Sequence, residues 1–191
     1  MGYSEFFFFL ELGWNHIVNV NALDHILFIL TLCVLIENEK LTRYIWITLS
    51  FAIGHTISMA AGRFFSYSTE IVEFLIPTTI ILSAVVSLFK RSQPDFNKYH
   101  LFLIMIFGLI HGLGFSNAFE MMQPSDTNGF AASAGFTIGL ELAQIAILGT
   151  FLLLAMLSVK YEIISYRLWQ LAITLISAFG GIYLSFNRWP F

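Results

Sequence analysis

Long apolar stretches dominate the chain, and short polar segments separate them. A helix needs roughly 20 mostly apolar residues to cross the hydrocarbon of a bilayer. Six stretches meet or nearly meet this requirement, at 22–36, 43–62, 71–89, 99–121, 130–158 and 164–186. None shows the short alternating pattern of barrel strands. The pattern therefore predicts an all-α, polytopic membrane helix bundle that forms a single transmembrane domain over residues 1–191.

The first predicted span is short, and we expect it to take length from the segment before it. Residues 1–21 are aromatic and apolar at 3–12, and they carry Trp14, His16 and three asparagines. This composition predicts a short interfacial N-terminal helix. A cleaved signal peptide is the competing interpretation, and the missing basic n-region and cleavage site argue against it.

Composition excludes the other broad classes of protein. Of the 191 residues, 58% are hydrophobic and 11% are charged, whereas an ordinary soluble domain has about 25% charged residues. Nine basic and twelve acidic side chains are too few to cover a soluble fold of this size. The net charge of −3 disfavours a nucleic-acid partner. Because Cys33 is the only cysteine, a disulfide scaffold is excluded as well.

Basic residues in the loops predict the orientation of the bundle. The loops after the first, third and fifth spans carry most of them: Lys40, Arg43, Lys90, Arg91, Lys98, Lys160 and Arg167. The opposite side carries Arg63 and Arg188. By the positive-inside rule the loops rich in basic residues are cytoplasmic, and both termini are expected outside.

Seven ionisable residues lie where a membrane bundle tolerates them poorly. They are His16, Asp24, His25, His55, Glu73, His111 and Glu141. On the predicted topology they gather in the outer half and the middle of the bundle, and they come from five helices. Ionisable groups inside a bundle mark functional sites by default, so we expect a shared site in this layer.

Histidine and carboxylate together favour a site for a divalent transition metal. Neutral imidazole binds nickel, cobalt, zinc and copper, and carboxylates add charge or orient the rings. Adjacent Asp24 and His25 point about 100° apart on an ideal helix. Either the helix is broken there, or one residue binds the ion and the other positions it.

An intramembrane histidine also serves as a hydrogen-bonding strut between helices. We favour that role for His16, or a place beside the ion path, and we favour a shared metal site for His25, His55 and His111. Glu141 fits either a metal site or a bridge between helices.

Polar helix faces extend from the predicted site. Ser58 lies one turn from His55, and Thr137 and Gln144 lie one turn on either side of Glu141. We expect these side chains to surround the metal or to line an ion path.

Five short segments contain the candidate residues in a fixed order: HIVNVNALDHILF at 16–28, FAIGHTIS at 51–58, VE at 72–73, FGLIHGLGF at 107–115 and GFTIGLELAQ at 135–144. Their order and placement over about residues 13–145 resemble the HupE/UreJ family of hydrogenase and urease accessory membrane proteins. The first segment is also similar to the first-helix signature of nickel/cobalt transporters, with a longer spacer after the first histidine.

The resemblance implies a permease-like bundle of six helices, a nickel or cobalt ion and a bacterial inner membrane. The metal residues it implies are His25, His55, His111 and Asp24, with Glu73 and Glu141 as further ligands or orienting groups. The expected partners are the lipid bilayer and the metal ion, and beyond them a second copy of the chain or the proteins that mature metalloenzymes.

Three functions fit these features. The first is a permease for divalent nickel or cobalt, which the motifs favour. The second is an intramembrane zinc-type hydrolase acting on a lipid-like substrate, with Glu73 or Asp24 as general base for a metal-bound water; the one-sided polar layer favours it. The third is a metal-binding subunit without turnover, which helps another protein to receive its metal.

Overall fold

A computed structural model describes residues 2–19, 22–35, 41–89, 98–123 and 128–190. These residues form seven α-helices: α1 (Gly2–Val18), α2 (Leu23–Leu35), α3 (Leu41–Ala61), α4 (Thr69–Phe89), α5 (Lys98–Met121), α6 (Gly129–Lys160) and α7 (Tyr166–Asn187). A single 3-10 turn, Gly62–Phe64, follows α3. The predicted all-α class is confirmed, since the described residues contain helices and no strand.

The helices are long and apolar enough for a multi-pass membrane protein. Each of α3 to α7 is a candidate span, whereas α2 has only 13 residues. The pair α1 and α2 passes the same test together as a broken span, bent by 72° at the break. The described residues therefore give five spans, or six when the bent pair is one span, as the short first stretch of the sequence led us to expect.

The predicted and observed helices differ mainly at the N-terminus. α1 extends to Val18 and packs lengthwise on α6. Its location at the membrane surface stays a prediction. Three of the basic residues behind the predicted orientation, Lys40, Lys90 and Arg91, lie outside the described residues.

Two pairs of parallel helices approach so closely that only glycine fits at the contacts. Between α1 and α6, a Cβ atom on Gly139 would overlap the carbonyl oxygen of Leu10. Between α3 and α5, a Cβ atom on Gly112 would overlap the carbonyl oxygen of His55. These contacts fix the depth at which α1 and α3 present their side chains to the interior.

One end of the bundle, which we call the mouth, holds the end of α3, the start of α4 and the end of α7. α3 and α4 meet there because only seven residues separate Ala61 from Thr69. α7 ends there because Arg188, at its C-terminal cap, contacts Asp24 in the first turn of α2. We use depth for the distance of a residue from the mouth.

The bundle is apolar outside, and its interior combines an apolar core with buried polar residues. Phe179 and Phe186 of α7 are 66% and 82% exposed. His55, His111 and Gln144 are at most 1% exposed. This distribution suits a chain surrounded by lipid, where exposed apolar side chains carry no penalty and buried polar groups are the informative feature.

Candidate metal centre

Three histidines from three helices converge below the mouth. His16 lies in the last turn of α1, His25 in the first turn of α2, and His55 two turns before the end of α3. Each offers one ring nitrogen, and these atoms lie within 4.8 Å of one another. The bend between α1 and α2 brings the first two together. Three imidazoles suit a divalent transition metal, so this triad is the candidate metal centre.

A fourth histidine on α5 completes the group that we call the His cluster: His16, His25, His55 and His111. The ring centroid of His111 lies 5.2 Å from that of His25. Its Nε2 lies 3.0 Å from the Thr79 hydroxyl, which donates its proton to the Ile76 carbonyl oxygen at 2.7 Å. The hydroxyl can therefore only accept from His111. The proton of this ring then lies on Nε2, and Nδ1 holds a lone pair.

Most ring nitrogens of the His cluster have no hydrogen-bond partner among the described residues. Among the described residues, five are buried and make no hydrogen bond: His16 Nε2, His25 Nε2, His55 Nδ1, His55 Nε2 and His111 Nδ1. Leaving a buried polar group unpaired costs about 1–3 kcal/mol. Each neutral ring offers one lone pair, and a cation would give these lone pairs a partner, so the residues present fit a metal ion.

Asp24 positions His25. One of its oxygens, Oδ1, accepts a hydrogen bond from the backbone N–H of His25 at 2.9 Å and lies 3.0 Å from Nδ1 of the same ring. With the proton on Nδ1, the lone pair of His25 lies on Nε2, the unpartnered nitrogen. Carboxylates orient metal-binding histidines in this way. The chain is broken between α1 and α2, just before this pair, and Asp24 is also hydrogen-bonded to His25; which residue binds the ion stays a prediction.

A cavity of about 220 Å³ connects the His cluster to the mouth. Its lining is polar on one side: His16, Asp24, His25, Glu73, His111 and Arg188, with Ala22, Ile76, Gly114 and Phe115 completing the wall. A larger cavity of about 460 Å³, between the ends of α3 and α5 and the start of α6, has no histidine in its lining. We assign access to the smaller one, because it reaches the unpaired nitrogens.

On the side away from the mouth, phenylalanines close the His cluster off. We call Phe28, Phe51 and Phe107 the aromatic floor, because each lies one helical turn deeper than His25, His55 or His111 respectively. All three are at most 7% exposed. Phe28 and Phe51 lie 4.9 Å apart between ring centroids and contact the His111 ring at 5.2 and 5.1 Å. The floor separates the cluster from the other end of the bundle.

The remaining predicted residues lie around the cluster or apart from it. Glu73 is exposed at the mouth. Ser58 donates within its own helix, and Thr137 pairs with Thr56 at 2.7 Å across the contact of α3 and α6. Glu141 and Gln144 lie on α6, outside the triad.

Glu141 lies deeper than the His cluster. The hydroxyl of Thr48, two turns deeper on α3 than His55, donates to Glu141 Oε1 at 2.6 Å. Glu141 Oε2 and Gln144 Oε1 are buried and lack a hydrogen-bond partner among the described residues. The structure thus places these two residues in a separate, oxygen-rich region.

The strut role favoured for His16 stays a prediction; among the described residues its Nε2 has no hydrogen-bond partner. Two other residues near the site had no role in the sequence interpretation. Thr79 had no signal beyond its place on an apolar helix. Arg188 served only to predict the orientation of the bundle. That prediction placed it on the same side as the outer ends of the helices, which was the one indication in the sequence that it lies near the site.

The family described as HupE / UreJ protein matches residues 2–187, nearly the whole chain. The chain belongs to the HupE / UreJ family. No curated protein and no solved structure matches it.

Membership of the HupE / UreJ family confirms the resemblance and extends it. The match includes α1, which contributes His16 to the wall of the cavity, and α7, which ends one residue before Arg188. A family linked to metal handling and a histidine triad within metal-binding distance point to the same chemistry.

Proposed function

We propose that this HupE / UreJ protein is a permease for a divalent transition metal, nickel or cobalt, in the bacterial inner membrane. One observation carries the proposal. Buried, unpaired imidazole nitrogens from four histidines gather beside a cavity at one end of the bundle, and three of the four histidines line it. Here the metal is the transported substrate.

The ion enters from the mouth and exchanges its water for imidazole nitrogen. Glu73, exposed in the cavity wall, attracts cations to the opening. Asp24 and Thr79 each contact one nitrogen of the His25 and His111 rings. These contacts favour the tautomer in which the other nitrogen of each ring presents its lone pair to the ion. Preorganised ligands reduce the ordering cost of binding, which favours capture at low metal concentration.

Passage to the other end requires the aromatic floor to move. Phe28 and Phe51 block the direct line from the His cluster to the deeper part of α3 and α6. Once they part, Glu141 and Gln144 offer oxygen atoms that have no other partner. Alternating closure of the mouth and of the floor would carry the ion across in one direction or the other.

The proposed orientation places the mouth outside. The described basic residues Arg43, Lys98, Lys160 and Arg167 all lie at the end away from the mouth, and the positive-inside rule makes that end cytoplasmic. Both termini are then outside. A metal released inside would be received by proteins that mature metalloenzymes, and assembly with a second copy is compatible with the exposed apolar faces.

The hydrolase alternative finds less support in the geometry. Its general base was to be Asp24 or Glu73. Both oxygens of Asp24 already accept hydrogen bonds, Oδ1 from His25 and Oδ2 from Arg188 at 2.9 Å. Glu73 is exposed at the mouth and is not part of the histidine triad.

The test is metal uptake by purified protein reconstituted in liposomes. We expect uptake of Ni²⁺ or Co²⁺ by the wild type, and none by the variant in which His25, His55 and His111 are replaced by alanine. His100, at the start of α5, is the one histidine outside the His cluster, so His100→Ala is the matched control and should transport normally. A folded, metal-loaded protein without uptake would refute the permease.

A further inference from the structure

A partly buried ion pair lies between the metal centre and the mouth. Asp24 is 5% exposed and accepts a hydrogen bond on Oδ2 from Arg188 Nη1 at 2.9 Å. Its other oxygen holds His25. Arg188, Asp24 and His25 therefore form a continuous chain from the cavity wall to a candidate metal-binding nitrogen.

A guanidinium at this position is unfavourable for a site that receives cations. Arg188 lines the same cavity as three of the four clustered histidines. Like charges repel strongly where water is partly excluded, so Arg188 opposes an arriving divalent ion. While no ion is bound, however, it neutralises the buried carboxylate of Asp24, which would otherwise be costly.

Arg188 has somewhere else to go. Its side chain is 25% exposed, and its backbone is anchored as the C-terminal cap of α7, where the N–H donates to the carbonyl oxygen of Leu184. Glu73 lines the same cavity nearer the solvent. The next residue, Trp189, packs edge-on against Phe74 at 5.2 Å between centroids, which keeps this end of the chain beside Glu73.

We infer that Arg188 is a displaceable counter-charge, a positioning residue that pairs with Asp24 before the metal arrives and moves outward toward Glu73 as the ion enters. The inference rests on the proposed function. The ion and the guanidinium then compete for the charge of Asp24. By reciprocity, the metal weakens the Arg188 contact by the same factor as Arg188 weakens metal binding.

The inference is distinguished by the direction in which one substitution changes the metal affinity. Arg188→Gln removes the competitor, so the metal should bind about tenfold more tightly, within the usual range of coupling between two sites. Release becomes slower for the same reason, so uptake into liposomes should show a lower KM together with a lower kcat. A residue that only supported the fold would weaken binding when replaced.

Two variants isolate the charge. Arg188→Lys keeps the positive charge and therefore its repulsion of the ion. Its metal affinity should lie within about twofold of that of the wild type. Arg63→Gln makes the same change at the same end of the bundle, at a residue that packs over Phe64 outside the cavity. We expect its affinity to equal that of the wild type.

The measurement is titration of detergent-purified protein with Ni²⁺ and Co²⁺, followed by uptake kinetics. A wild type that binds neither ion refutes the proposed function itself. A wild type that binds, with Arg188→Gln equal or weaker, refutes the counter-charge alone. So does a lysine variant that behaves like the glutamine variant.

A second measurement needs no change at Arg188. Metal should alter the fluorescence of Trp189, because displacement of Arg188 moves its neighbour against Phe74. Trp189→Phe keeps the other three tryptophans. The contribution of Trp189 is the part of the metal-dependent signal that this variant lacks. An identical metal-dependent signal in wild type and Trp189→Phe would contradict the displacement.

Discussion

Two polar regions of the bundle interior differ in donor atoms and in access. The His cluster offers nitrogen and lies beside the mouth cavity. Glu141 and Gln144 offer oxygen and lie deeper. Thr48, which holds Glu141, is seven residues from His55 on the same helix, about 10 Å along the axis, and Phe51 lies between them.

This difference separates capture from release. Imidazole nitrogen binds nickel and cobalt more tightly than amide or carboxylate oxygen, which suits harder ions. An ion held first by nitrogen and then by oxygen passes from a tighter to a weaker site. The aromatic floor keeps the two regions apart, so each can be changed without the other.

The largest expected effect is on the nitrogen side. His55 has two unpartnered ring nitrogens, and His55→Ala removes both. Metal affinity should fall more than about 100-fold, because loss even of groups that only orient a ligand costs 10–100-fold. Equilibrium metal binding in detergent measures it.

The control for this variant is His100→Ala, which removes a histidine outside the cluster. It should leave metal affinity unchanged. An affinity for His55→Ala within a few-fold of the wild type would mean that the triad is not the binding site.

Glu141→Gln tests the oxygen side and should separate binding from transport. Metal affinity should change less than about twofold, whereas uptake should fall about tenfold, because an amide carries no charge to stabilise the cation in a low-dielectric interior. Glu120→Gln, at the exposed end of α5, is the matched control. Equal losses of metal affinity in Glu141→Gln and His55→Ala would mean that the two regions form a single site.

The smallest effect sharpens the account of the fourth histidine. Thr79→Val removes the acceptor for His111 Nε2, so the ring loses its fixed tautomer, and we expect affinity to fall about three- to tenfold, a little below the usual range for orienting groups. Thr79→Ser restores the hydroxyl and should restore binding. If the serine variant is as weak as the valine variant, the hydrogen bond is not the cause.

Sequence reasoning predicted the spans because hydrocarbon thickness imposes a length that apolar stretches reveal. It also selected His25, His55 and His111, since ionisable residues are rare enough in this chain to stand out. Those two signals are local, and each is visible along a single stretch of sequence.

The rest depended on contacts between distant parts of the chain. The position of His16 beside His25 follows from a 72° bend between α1 and α2. The hydrophobic periodicity of the sequence does not encode the angle of this bend. Arg188 and Asp24 are 164 residues apart, and Thr79 and His111 are 32 apart. The separation of Glu141 from the histidines needed the helix register, which close glycine contacts set and the apolar pattern does not.

X-ray absorption spectroscopy of the protein loaded with Ni²⁺ or Co²⁺ tests the central claim most directly, because it reports the donor atoms around the ion. We expect at least three imidazole nitrogens at about 2.0–2.1 Å, as for other divalent ions bound by histidine. The same spectrum should persist in His100→Ala and in Glu141→Gln, and disappear in His55→Ala. A metal surrounded by oxygen alone would contradict the account.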